Sequence, residues 1–234
     1  MLDFIEGATL YFDKPYRWTS FDVVAKIRWM LCRKLGVKKL KVGHAGTLDP
    51  LATGVVIVCT GKKTKQIDEI QARTKEYVAT LQLGATTPSF DLEKEIDQTY
   101  PTEHITRSLI DEVLPRFRGR IEQVPPAFSA VKVDGDRAYK LARKGEEVKL
   151  KAKILVIDEL EVLDFDQEQM QLTLRIVCSK GTYIRALARD IGEALQSGAH
   201  LTALRRTRVG DITLDQCMQV ADFAQFIGFE ETKQ

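Results

Sequence analysis

The sequence has no apolar run of the roughly 18–20 residues that a bilayer-spanning helix needs. Its main apolar stretch, Val55-Val56-Ile57-Val58-Cys59, is only strand-sized. An export signal is not expected either, because Met1-Leu2-Asp3-Phe4-Ile5-Glu6 is acidic where such a signal is basic. Cysteine is sparse: Cys32, Cys59, Cys178 and Cys217 are scattered, with no C-x-x-C pair and no histidine cluster. That spacing gives no support for a zinc site and fits reduced thiols in or near the core of a cytoplasmic protein. Also missing are H-E-x-x-H, G-x-S-x-G and G-x-G-x-x-G. Gly61-Lys62 is followed by Lys63 where a phosphate-binding loop needs Ser or Thr. His44, His104 and His200 lie far apart. Neither a metal nor a nucleotide cofactor is expected. No low-complexity tract, solenoid-period repeat or long Gly/Ser linker appears.

What is present is an ordinary globular composition. Of 234 residues, 44% are hydrophobic and 29% charged, enough for a sizeable core in one large or two small domains. The formal net charge of +2 conceals segregation. Residues 14–75 hold 14 Lys/Arg against Asp22, Asp49, Asp68 and Glu69, and residues 175–208 hold 7 basic against 2 acidic side chains. The balancing acid lies in 91–112, in 158–168 and in the tail after Asp215. Single-sign blocks are often just solvated faces. Two basic blocks separated by acidic connectors also suit a polyphosphate partner, nucleic acid foremost.

Helical and strand patterns alternate along the chain, which points to an α+β domain. Residues 8–12 read as a strand, and Lys14-Pro15 forces a turn. Thr19 to Asp22 resembles a capping box with Asp in the usual Glu place. Phe21, Val24, Ile27, Leu31 and Leu35 follow at helical spacing, with Gly36 as the stop and Lys26, Arg28, Arg33 and Lys34 on the outer side. A strand is expected over 55–59 and another over 76–83, with Tyr77, Ala79, Leu81 and Leu83 on one face. A helix follows near 106–118, kinked or shortened by Pro115. Residues 123–145, with Pro125-Pro126 and Arg137, Lys140, Arg143 and Lys144, read as a basic surface insertion. Met170, Leu172, Leu174, Ile176 and Cys178 alternate as a half-buried strand. Thr182 is placed to cap a helix through Ile184, Leu187, Ile191 and Leu195, closed by Ser197-Gly198. A basic strand over 201–209 and a short helix over 219–229 complete the chain.

The most unusual segment is residues 43–54, Gly-His-Ala-Gly-Thr-Leu-Asp-Pro-Leu-Ala-Thr-Gly. Its glycines allow close approach of a ligand, and Pro50 stiffens Asp49 outside the helical region. Asp49 is the only carboxylate between Asp22 and Asp68. An ionised, pre-positioned Asp in such a basic setting can act as a nucleophile or a base. The same Asp-Pro pair also makes an ordinary turn, and His44 an ordinary hydrogen-bonding histidine. These residues alone lead no further than a nucleic-acid-facing α+β protein with one notable Asp.

Residues 43–54, the strand after them and Gly61-Lys62-Lys63-Thr64-Lys65 closely resemble the signature of the TruB-type tRNA pseudouridine synthases. The likeness extends over nearly the whole chain. Asp13-Lys14-Pro15 with Thr19-Ser20 resembles the opening motif of that family. Lys75-Glu76-Tyr77, followed by Leu83-Gly84, Thr87 and Asp91, resembles the next. The run from Gln123 through Pro125-Pro126, Phe128-Ser129 and Lys132 to Tyr139 is similar to its insertion. Ser179-Lys180-Gly181-Thr182-Tyr183-Ile184-Arg185 and Leu204-Arg205-Arg206-Thr207 complete the set.

The resemblance implies a pseudouridine synthase catalytic fold with a large mixed, mainly antiparallel bent sheet flanked by helices and loops. It further implies isomerisation of uridine 55 in the T-loop of tRNA to pseudouridine, without cofactor or metal, on a base flipped out of the RNA. Asp49 matches the catalytic aspartate, and attack on C1′, attack on the ring and abstraction of a sugar proton all stay open. Arg185 matches the cation that pairs with that carboxylate, and Tyr77 the aromatic that stacks on the flipped uracil. His44 matches the residue that takes the place of the flipped nucleotide, Tyr183 an active-site tyrosine and Leu204 an apolar pocket wall. Asp91 matches an acid able to hold the active-site Arg, although Pro88, Phe90 and Lys94 depart from the pattern around it. Lys14 and Lys63 are expected to contact substrate, alongside the 21–35 helix, the Lys62 to Lys65 run and the 116–153 region as RNA contacts. The T-arm of tRNA is the expected partner of a monomer that needs no other protein and no membrane. One catalytic domain over 1–234 is expected, with an RNA-gripping insertion near 120–152. Only about 25 residues follow the Leu204 motif, so a separate C-terminal RNA-binding domain is not expected. A guide-RNA-dependent relative and a tRNA-binding folding factor with secondary isomerase activity are the alternatives.

Overall fold

The computed structural model describes residues 2–129, 131–133, 136–138, 141, 144 and 150–229, so Tyr139, Lys140, Arg143, Glu230 and Glu231 lie outside the described residues. In chain order the elements are β1 (Thr9–Lys14), α1 (Ser20–Leu35), β2 (Val42–His44), β3 (Ala52–Thr60), α2 (Ile67–Ala72), β4 (Lys75–Leu83), β5 (Ala85–Thr86) and β6 (Gln98–Thr99). Then come α3 (Arg107–Val113), β7 (Gly119–Gln123), β8 (Lys132–Val133), β9 (Asp136–Arg137), β10 (Lys153–Asp166), β11 (Gln171–Cys178) and α4 (Ile184–Ala194). The last are β12 (Ala199–Val209), β13 (Ile212–Thr213), β14 (Met218–Gln219) and α5 (Phe223–Phe226). The fold is α+β, with a large mixed, mainly antiparallel sheet. The chain divides into two compact units, Met1–Glu76 with Arg205–Gln234, and Tyr77–Leu204. Strands β4 and β12 run from one unit into the other, so each unit contains part of both.

In the first unit β1 lies antiparallel to β3, Thr9 opposite Cys59 and Lys14 opposite Gly54, and parallel to β14. β2 adds to β3 with His44 opposite Val58. The apolar run of β3 is continuous because both its faces are buried. Val55, Ile57 and Cys59 pack with Ala45, Ile70 and Val209 into one core cluster. Phe12 meets Phe223 edge-on, with centroids 5.4 Å apart.

The capping box forms: Asp22 N donates to Thr19 Oγ1 (3.0 Å), and Thr19 N donates to Asp22 Oδ2 (2.8 Å). Gly36 ends α1 in the left-handed region at φ 65°. The buried stripe of α1 is Val23, Val24, Ile27, Met30 and Leu31, not the set anchored on Phe21 and Leu35. Those two sit in the end turns of the helix and are exposed, Phe21 by 62%. Arg28, expected on the outside, turns inward to donate to the Val42 carbonyl (2.9 Å). The single helix expected over 219–229 is broken, because Met218 and Gln219 pair with β1 and leave only a 3-10 turn and the short α5.

In the second unit β11 has β4 on one side and β10 on the other, and β10 pairs antiparallel with β7. Strict alternation on β4 buries Tyr77, Ala79, Leu81 and Leu83, as the sequence pattern required. The acidic stretch expected as a connector at 158–168 lies largely in β10, a 14-residue strand. Its acids are compatible with a strand because Arg175 of β11 binds Glu159 (2.6 Å) and Glu161 (3.0 Å) across the pair. The helix near 106–118 is cut at Val113 and tightened into a 3-10 turn containing Pro115. Thr182 does not cap α4: its hydroxyl donates to the Ser179 carbonyl (3.0 Å), and Tyr183 holds the cap position without a side-chain bond.

Candidate active site

In the first unit, the Asp49 loop leaves β2 and enters β3 through a close contact. A Cβ at Gly54 (φ 111°) would stand 2.1 Å from the Arg206 carbonyl oxygen, so only glycine lets β12 lie this near. Three side chains then fasten the loop. Ser20, first residue of α1, accepts from Leu48 N (2.9 Å) and donates to Leu48 O (3.3 Å). Lys14 is completely buried and gives its three protons to the carbonyls of Pro15 (3.0 Å), Trp18 and Pro50 (3.2 Å). Arg206, 1% exposed, donates from Nε to Val55 O (2.8 Å) and from its two amino groups to Thr47 O (3.4 Å) and Gly46 O (3.2 Å). Asp49 itself is half-buried.

Charge in this unit follows from that construction. Burial brings the Lys14 ammonium down to about 8; the Asp49 carboxylate opposes the shift and the Arg206 guanidinium adds to it. Burial likewise holds the His44 imidazole below its usual pKa, against the nearby Gly46 backbone and reinforced by Arg206. The buried Nδ1 of His44 has no hydrogen-bond partner among the described residues. Lys63 stands exposed on the 3-10 turn Gly61–Gln66, where a phosphate can reach it. Lys14 has no such access: the contact with substrate expected of it is not available to a buried ammonium committed to three carbonyls.

In the second unit, Arg185 points inward from α4 at 5% exposure. It donates to Ser89 O (3.1 Å) and Phe128 O (3.1 Å), and its Nε lies 3.7 Å from Asp91 Oδ2. Asp91 in turn accepts from Glu93 N (3.0 Å) and is buried. The departures at Pro88, Phe90 and Lys94 therefore leave the carboxylate in place beside the arginine. Gln123 at the end of β7 holds Tyr183 by both peptide groups, accepting from its N–H (2.9 Å) and donating to its carbonyl (3.2 Å). Tyr77 is buried on β4, and Leu204 is half-buried in the middle of β12.

The first unit thus brings Asp49 and Lys14 together, with His44 on the strand that leads into the same loop, and the second brings Arg185 and Asp91 together, with Tyr183 preceding Arg185 in the chain. Sequence reasoning gave no individual role to Arg206, Ser20, Gln123 or Ser89. Ser20, Arg206 and Gln123 are visible as motif members, but nothing local distinguishes a buried arginine from the exposed Arg205 beside it. Among the described residues no group of three or more His, Cys, Asp or Glu side chains is placed to hold a metal ion. No helix among them is long and apolar enough to cross a membrane.

Residues 33–184 match the family model described as TruB family pseudouridylate synthase (N terminal domain). The chain belongs to the TruB family. Residues 185–234 match a second model, tRNA pseudouridylate synthase B C-terminal domain, which corrects the expectation that the chain lacks a C-terminal domain of the family. Among TruB relatives, the tRNA pseudouridine synthase B of Phocaeicola vulgatus is 69% identical over 233 residues, covering 100% of this chain and 98% of its own. That of Bacteroides fragilis is 66% identical over 232 residues, covering 99% of each. Among solved structures, the Cbf5-Nop10-Gar1 complex contains a chain similar at TM-score 0.68 and 29% identity, over 97% of this chain and 58% of that one. The archaeal box H/ACA sRNP Nop10-Cbf5 complex gives TM-score 0.66 and 26% identity, over 96% and 54%. The present chain therefore spans somewhat more than half the length of those structural relatives.

Proposed function

We propose that this TruB-family protein isomerises uridine 55 in the T-loop of tRNA to pseudouridine, with Asp49 as the essential carboxylate acting on a flipped-out base. The observation that carries this reading is the family match together with a half-buried Asp49 on a loop fastened by two buried cations and a serine. A carboxylate fixed in that way needs little reorganisation when it meets a sugar or ring carbon. Arg185, oriented by Asp91 and two carbonyls, supplies positive charge for the reaction, and Tyr77 a face for the extruded uracil. His44, at the head of the same loop, takes the place of the flipped nucleotide in the RNA. Tyr183 and Leu204 line the base site, and Lys63 takes a phosphate. The insertion near 120–152 grips the T-arm of a cytoplasmic tRNA. The relatives at 66–69% identity are both called tRNA pseudouridine synthase B, which favours tRNA over the substrate of the H/ACA sRNP, whose Nop10-Cbf5 complex resembles the chain at 26%.

The test is tritium release from C5-labelled uridine in a tRNA transcript without guide RNA. Wild type should release label, and Asp49→Asn should lose at least about 10³-fold in rate, as expected when the reacting group itself is removed. Release by both proteins would overturn the role of Asp49. Tight tRNA binding without release by wild type would favour a folding factor.

A further inference from the structure

Four non-glycine residues among those described have positive φ: Arg17 (67°), Phe90 (62°), Met170 (51°) and Gln196 (53°). Gln196 follows the end of α4, and Met170 lies in the turn between β10 and β11, both places where a left-handed residue is usual. Phe90 carries the Arg189 guanidinium 5.0 Å above its ring. Arg17 lies neither at a helix end nor in a hairpin turn. It is the third residue of a turn closed by Trp18 N to Pro15 O (3.4 Å), a position that favours glycine. A large side chain there raises the energy of the backbone for no evident gain in packing, because Arg17 is exposed.

The position of the turn suggests what the side chain is for. Arg17 N donates to Pro50 O (2.8 Å), the carbonyl that also accepts from Lys14, so this turn and the Asp49 loop share one fastening. The Arg17 guanidinium lies 5.6 Å from the centroid of the Tyr16 ring, and Tyr16 is 48% exposed. Among the described residues no carboxylate forms an ion pair with Arg17. An exposed aromatic ring carrying an uncompensated guanidinium is a pairing that serves single-stranded nucleic acid, ring to base and cation to phosphate.

We propose that Tyr16 and Arg17 form a docking point for the substrate RNA strand beside the Asp49 loop, the guanidinium taking a phosphate and the tyrosine ring a nearby base. This rests on the reading of Asp49 as the reacting carboxylate, which puts the target nucleotide at that loop. The strained conformation of Arg17 is then retained for binding rather than for the fold.

Arg17→Gly separates the two purposes, because glycine relieves the backbone while deleting the cation. Its melting temperature should equal or exceed that of wild type. Its KM for tRNA should rise roughly tenfold with the loss carried by KM rather than kcat, and the salt dependence of tRNA binding should flatten by about one phosphate contact. Tyr16→Ala should weaken binding by roughly fivefold or more. If Arg17→Gly is as stable as wild type with KM and salt slope unchanged, Arg17 is a turn residue only and the proposal falls. If wild type converts no tRNA uridine, the proposed function fails and this inference with it; the wild-type assay tells the two failures apart.

Discussion

The two units bury their cationic side chains in different company. In the second, Arg185 is accompanied by a carboxylate, with Asp91 3.7 Å away and equally buried. In the first, Lys14 and Arg206 are buried just as deeply but give their protons to main-chain carbonyls. A cation paired with a carboxylate is neutralised locally and holds one side chain in place. A cation held by carbonyls organises the backbone of a loop, and its positive charge remains available to whatever that loop carries. Asp49 lies on such a loop, and its carboxylate is one of the charges that Lys14 senses.

The hardest test of this contrast is Arg206→Met. It leaves the carbonyls of Gly46, Thr47 and Val55 without their donor, so urea unfolding should show a loss of about 4 kcal/mol and weakened activity. Arg206→Lys retains the charge but not the three-way geometry and should recover less than half of the loss. A cost below about 1 kcal/mol for Arg206→Met would mean that the carbonyl contacts do not organise the loop.

The next effect is in pH. The folded-state pKa of Lys14 is about 8, against an ordinary value of 10.5 that the unfolded chain restores. Between those values the unfolded chain binds more protons, so this group adds stability as the pH rises. Holding a charged Lys14 inside the protein costs stability at neutral pH, and that cost is relieved from pH 8 upward. Relative to Lys14→Met, the wild type should gain up to about 3 kcal/mol by pH 10.5. Parallel pH profiles for the two proteins would show that Lys14 keeps its proton throughout.

The smallest effect belongs to the compensated site. Asp91→Asn keeps an acceptor for Glu93 N but removes the charge beside Arg185. A loss of about 2 kcal/mol in stability is expected, together with a lower kcat, measured by unfolding and tritium release. A variant as stable and as active as wild type would show that the Ser89 and Phe128 carbonyls suffice to hold Arg185, and the distinction between the two units would disappear.

Much of the fold was legible because its signals are local. The Thr19 capping box and Gly36 mark both ends of α1, and alternation places Tyr77 and its neighbours on the buried face of β4. Strand β10 was illegible because Glu159 and Glu161 are tolerable in a strand only once Arg175 lies opposite. The break at 218–219 was hidden for a similar reason, since pairing with β1 is a long-range event. At the site, Asp49 stood out as a lone carboxylate in a basic, glycine-rich segment. The buried state of Lys14 did not, because burial depends on three carbonyls contributed by two turns.

By itself the sequence determined the α+β alternation, the Asp49 loop with its glycines, the absence of any long apolar span, and the motifs that resemble the TruB family. These are properties of short stretches, fixed by side-chain periodicity and by the backbone freedom of glycine and proline. Only the tertiary structure decided which cations are structural and which face solvent. Arg205 and Arg206 are adjacent in sequence, yet Arg206 is buried against carbonyls and Arg205 pairs at the surface with Asp13 (2.7 Å). A strand sends successive side chains to opposite faces, and which face is interior depends on the strands laid beside it.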